Sequence, residues 1–124
     1  MLKKIALIAV VTLSLAACKT IPVTDYNQQV NASNMTKESV EKAILSGCQQ
    51  RQWACKVESD GVIAGLLNWR GTQVKVGIHY DAKTYTIKYR DSLNLKYDGD
   101  SIHKKYGKWV NNLIRTIDSQ LFTM

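Results

Sequence analysis

The sequence predicts a two-layer α+β sandwich, an antiparallel sheet with both helices on one face, in the chain order α-β-β-β-β-α. Three observations carry this expectation. Apolar residues recur at helical spacing over residues 36–52, and do so again over residues 101–120. Between these stretches, from Ala54 to Arg90, the apolar period falls to two. Strands with one apolar face need a layer of helix stripes to cover it, and a two-layer packing buries every stripe at once.

The composition is that of one ordinary globular domain. The 124 residues are 45% hydrophobic and carry three cysteines and a formal charge of +7. Normal apolar content excludes a disordered chain, and sparse cysteine excludes a disulfide-dense mini-scaffold. No apolar run approaches the 18 residues of a membrane span.

The first element is a leader. Met1 to Lys4 are cationic, Ile5 to Leu15 are apolar apart from Thr12 and Ser14, and Ala16-Ala17 supply small residues before Cys18. This is the pattern of a signal peptide over residues 1–17. Ile5 to Ala17 is 13 residues, about 20 Å of helix against a hydrocarbon core of about 30 Å. Leu15-Ala16-Ala17-Cys18 resembles the lipobox of bacterial lipoproteins. That resemblance implies cleavage before Cys18, a diacylglyceryl thioether on its sulfur, and N-acylation. Several acyl chains give a stable anchor where one would not. Lys19 in place of an aspartate implies, by the enterobacterial pattern, an outer-membrane protein facing the periplasm. Lys3 and Lys4 leave with the leader, which lowers the charge to +5. Outside the cytoplasm, nucleic acid is no longer an expected partner.

Lys19 to Asn34 is polar, lacks apolar periodicity and holds the only proline, so residues 18–34 read as a lipidated N-terminus and tether, with a single domain over 35–124. The first helix starts at Thr36 as cap, with Met35 and Val40 placed as a hydrophobic staple and Glu38 and Glu41 near the positive end of the dipole. It ends near Arg51 or Gln52. Cys48 and Cys55 form an even pair in an oxidising space, and a disulfide is the simplest reading. One unbroken helix would hold them about 10.5 Å apart, so the helix must end between them. Free thiols, a redox pair and a metal site are the alternatives. The second lacks the C-x-x-C spacing, and the third would need His79 and His103 at separations unlike known zinc sites.

Four strands follow, at Cys55 to Ser59, Val62 to Trp69, Gln73 to Tyr80 and Thr84 to Arg90. Asp60-Gly61, Asn68 to Gly71, and Asp81-Ala82-Lys83 supply the turns. Val62 to Leu67 is apolar on both faces, which leaves its register open. The last helix is expected from about Ser101 to Gln120, capped by Asp100 or Ser101, with Ile102, Tyr106, Trp109, Val110, Leu113, Ile117 and Leu121 as its stripe.

The candidate binding residues are two sets of cations. Alternation places Lys75, Lys88 and Arg90 opposite the core tyrosines, on a polar sheet face together with His79. Lys104, Lys108 and Arg115 follow helical spacing opposite the apolar stripe. All of the net charge of the mature chain lies in residues 70–124. Neither histidine has a Ser, Cys or carboxylate at a recognisable catalytic spacing, and no phosphate loop, cofactor motif or metal pattern is present. The reading is therefore a non-enzymatic, acyl-anchored binding or assembly module. Its partners are the membrane, through Cys18, and an envelope protein or anionic polymer. A small hydrolase or lipid-modifying enzyme using His79 or His103 is the alternative.

Ile78-His79-Tyr80, Tyr85 to Tyr89, Asp91 to Leu95, Ile102-His103 and Tyr106 to Leu113 also resemble a group of small, uncharacterised bacterial envelope lipoproteins. That resemblance spans residues 61–117 and implies no established activity.

Overall fold

The computed structural model describes residues 19–124, so the leader and Cys18 lie outside the described residues. The elements are β1 (Thr20–Pro22), β2 (Tyr26–Gln29), α1 (Lys37–Gln50), β3 (Ala54–Ser59), β4 (Val62–Trp69), β5 (Thr72–Tyr80), β6 (Thr84–Leu93), β7 (Ser101–His103) and α2 (Lys105–Thr123). Five strands form an antiparallel sheet in the order β2-β6-β5-β4-β3, and β1 pairs with β7 in a separate two-stranded ladder. The fold is α+β, with the expected α-β-β-β-β-α succession and three short strands added to it. No helix of the described residues is long and apolar enough to cross a membrane.

Local chemistry sets each helix end. Thr36 Oγ1 accepts the Ser39 N–H at 3.1 Å and Ser39 Oγ accepts the Thr36 N–H at 2.8 Å, a capping box in which serine stands where glutamate is usual. After α1, Gln52 turns the chain at φ 63°, and Cys48 and Cys55 are disulfide-bonded with Cα atoms 6.1 Å apart. The bridge fastens α1 to the edge strand β3.

Both helices lie on one face of the sheet. Val40, Ala43 and Ile44 of α1 and Val110, Leu113 and Ile117 of α2 share one core with Ile63, Val74, Val76, Ile78, Tyr85 and Ile87. Gly47 is the point of closest helix approach, since a Cβ there would sit 2.7 Å from Ile117 Cγ1. Two core tyrosines are tied to helix carboxylates, Tyr85 to Asp118 at 2.7 Å and Tyr80 to Glu41. Burial and Glu41 push the Tyr80 hydroxyl up to about 12. Tyr106 sits edge-on to both Tyr26 and Tyr89, with its hydroxyl buried and unpartnered by any protein group. In β4 the open register resolves with Ile63, Gly65 and Leu67 buried and Val62, Ala64 and Leu66 outward.

Two expectations are corrected. The stretch read as a tether is ordered: Thr20 to Pro22 pair with His103 to Ser101, and Tyr26 to Gln29 with Ile87 to Thr84. These strands are three and four residues long, too short to show a period, and each is held by single anchors such as Ile21 and Tyr26 against the core. Second, the last helix starts at Lys105, with Lys104 at the cap position and no hydrogen bond from the Lys104 side chain to the helix end. Ile102 is buried from a strand rather than a helix, and its four-residue distance from Tyr106 mimicked a helical turn. Asp98 instead closes a turn, its Oδ1 accepting the N–H groups of Asp100 and Ser101.

Candidate functional site

Among the described residues, nothing covers the face of the sheet turned away from the helices. Cross-strand register sets Lys56 opposite Ala64, Ala64 opposite Gly77 and Gly77 opposite Lys88, a row with lysines at both ends and nearly bare backbone between them. The next row runs Ala54, Leu66, Lys75, Asp91. Between them lies a groove of about 520 Å³ lined by Ala54, Lys56, Ala64, Leu66, Lys75 and Arg90. Its floor is apolar and its rim cationic.

Two β-bulges build the middle of this face. Val57 opposes Ile63 while Ser59 opposes Val62, which leaves Glu58 as the extra residue of β3. Likewise Val76 opposes Tyr89 while Lys75 opposes Asp91, which leaves Arg90 as the extra residue of β6. The two extra residues meet: Arg90 donates to both carboxylate oxygens of Glu58, at 3.1 and 2.8 Å. The guanidinium reaches across by lying over Gly77, where a Cβ would come within 2.6 Å of Arg90 Nε. The Arg90 hydrogen bonds hold the Glu58 carboxyl below its ordinary value, and the same contact raises Arg90.

The bulge at Arg90 also shifts the alternation of β6. Tyr85, Ile87 and Tyr89 face the core, whereas beyond the bulge Ser92 does so, with its hydroxyl 2.7 Å from Tyr89 Oη. Leu93 is thereby turned outward and is 58% exposed.

Of the cations expected from sequence, Lys75, Lys88 and Arg90 share this open face, and Arg90 is already paired. Lys108 and Arg115 are exposed on α2, in the helix layer, and Lys104 precedes the helix. The structure therefore does not join the two sets. Lys56 and Glu58 were missed. Alternation from Cys55, which must face Cys48, places Lys56 on the open side, but Glu58 meets Arg90 only through the strand order β3-β4-β5-β6.

The histidines are separate. His79 borders a shallow depression of about 360 Å³ shared with Asp60, Asp81, Thr84 and Thr86. Asp60 is bridged to Lys37 at 2.7 Å, and Asp81 accepts the N–H groups of Lys83 and Thr84, which lower its carboxyl. His103 Nδ1 accepts the Lys105 N–H at 3.1 Å, which makes it the lone side-chain acceptor at the start of α2. Burial holds its imidazole below the ordinary value, and Lys105, Lys96, Lys104 and Lys19 add to the shift. No group of three His, Cys, Asp or Glu side chains converges among the described residues in a way that would hold a metal ion.

Compared with protein-family models, curated proteins and solved structures, the chain finds no match.

Proposed function

We propose that the protein is a small lipoprotein of the bacterial cell envelope, anchored through Cys18 and facing the periplasm from the outer membrane, that works as a non-enzymatic binding module. The observation that carries this reading is the open groove, an apolar floor of Ala54, Ala64 and Leu66 rimmed by Lys56, Lys75 and Arg90 on the sheet face that no other described residues cover. An acidic segment of an envelope protein supplies both apolar side chains and carboxylates to such a surface, whereas a polyanionic polymer supplies charge alone. The leader and lipobox support the location, and the disulfide suits an oxidising compartment.

A photo-crosslinking amino acid placed at Ala64 in living cells tests this. The expected result is capture of a discrete acidic envelope protein, lost in the Lys56→Glu/Lys75→Glu variant; no adduct, or one indifferent to the charge reversal, would overturn it.

The depression at His79 supports a second reading, a periplasm-facing hydrolase or lipid-modifying enzyme using His79 or His103. Both nearby carboxylates and His103 are already engaged as described, so the binding reading is preferred. Ester turnover by the purified protein that is abolished in His79→Gln would reverse that preference.

A further inference from the structure

The end of the domain nearest Cys18 gathers four lysines. Lys104 donates its N–H to the Lys19 carbonyl at 3.1 Å, and Thr20 stands opposite His103 in the β1–β7 ladder. The His103 backbone N–H donates to the Leu95 carbonyl at 2.8 Å, which brings Lys96 to the same end. Lys105 follows Lys104 at the start of α2, so the backbone brings Lys19, Lys96, Lys104 and Lys105 to the same end of the domain as His103. Leu93 and Tyr97 bracket Lys96 in the sequence and are exposed large apolar residues of the described chain. Of the acidic groups nearby, Asp98 is taken up by the Asp100 N–H and the Ser101 hydroxyl, which leaves the Asp100 carboxylate against four lysines.

No slack separates this end from the anchor. The chain is hydrogen-bonded from Lys19 onward, so a single Cα–Cα step of about 3.8 Å joins Cys18 to fixed backbone. Lysines interleaved with exposed Leu and Tyr, next to an acyl attachment, match an anionic headgroup layer in both charge and amphipathic character. We infer that this end is a membrane-contact surface, with Lys19, Lys96, Lys104 and Lys105 seated on the anionic phospholipid headgroups of the bilayer that holds the anchor. The inference rests on acylation of Cys18. It gives the domain a fixed orientation, with the β1–β7 ladder next to the lipid.

The test uses the full acylated protein in vesicles of phosphatidylcholine alone or with a third of phosphatidylglycerol. A membrane-impermeant amine reagent is applied, and labelling is read at each lysine by mass spectrometry. On the anionic vesicles Lys96, Lys104 and Lys105 are expected to react at least about threefold more slowly than on neutral ones, while Lys56, Lys75 and Lys88 are unchanged, and high salt abolishes the difference. Equal labelling of both sets on vesicles that carry the protein through flotation would overturn the orientation alone. Protein that does not float with vesicles would overturn the anchor and the orientation with it.

Discussion

The two faces of the five-stranded sheet use the same ladder and hold opposite chemistries. On the helix side Val74, Val76, Ile78, Tyr85 and Ile87 are at most 1% exposed and interlock with both helices. On the other side Lys75, His79 and Lys88 stand in solvent, and the ordered side-chain contacts there are an ion pair between two bulged residues and a few exposed hydrogen bonds such as Thr86 to Asn27. Pattern specifies the covered face through shape and burial, where almost any break is costly. The open face is specified by charge placement, which the fold tolerates losing.

Neighbouring residues on β6 give the sharpest contrast. Ile87→Ala is expected to cost about 2–5 kcal/mol in urea unfolding, and Lys88→Ala less than about 0.5 kcal/mol. Similar costs at the two positions would erase the distinction between the faces. Removing the disulfide with Cys48→Ala/Cys55→Ala is expected to cost about 2.5 kcal/mol, because an eight-residue loop is released in the unfolded chain. Tyrosines on the covered side divide by partner: Tyr85→Phe loses the Asp118 hydrogen bond and about 1–2 kcal/mol, while Tyr106→Phe removes a hydroxyl that no protein group satisfies and stays within about 0.5 kcal/mol of the parent.

Acid tests the polar parts of the fold. Glu58, Asp81 and Asp98 each titrate below the ordinary values of 4.5, 3.8 and 3.8, held by Arg90, by the Lys83 and Thr84 N–H groups, and by the Ser101 and Asp100 N–H groups. As the pH drops below about 4.5 the unfolded chain binds protons first, so stability declines until the folded carboxyls also protonate. Denaturation across pH 2–6 measures this slope, and Arg90→Ala is expected to remove the Glu58 share while leaving those of Asp81 and Asp98. A small effect is also expected from Gly77→Ala. The methyl displaces the flexible Arg90 guanidinium rather than the backbone, so stability changes by less than about 1 kcal/mol, while the Glu58 carboxyl, followed by NMR, moves back toward its ordinary value.

Alternation made the covered face of β5 and β6 legible residue by residue but left β4, apolar on both faces, without a register; the four long strands, their turns, the Thr36 cap and the Cys48–Cys55 pair were also legible. The short strands were not legible, since Tyr26 and Ile21 act as isolated anchors in polar surroundings and carry no repeat. The start of the last helix was misplaced because Ile102 and Tyr106 satisfy helical spacing from two different elements. On the open face Lys75 and Lys88 followed from alternation alone. The Arg90–Glu58 pair did not, since it depends on strand order and on two bulges that no local pattern announces.

The bulge in β6 has a consequence for insertions and deletions. Because Arg90 is the residue without a partner, deleting it would restore an even ladder while leaving Ser92 inward and Leu93 outward against their present neighbours. Deleting any residue from Thr86 to Tyr89 instead would shift part of a fully buried alternation by one and turn core side chains to water. Position 90 is therefore where this strand can lose a codon and keep its fold, so the residue that bridges the open face is also the one whose loss the core would not register.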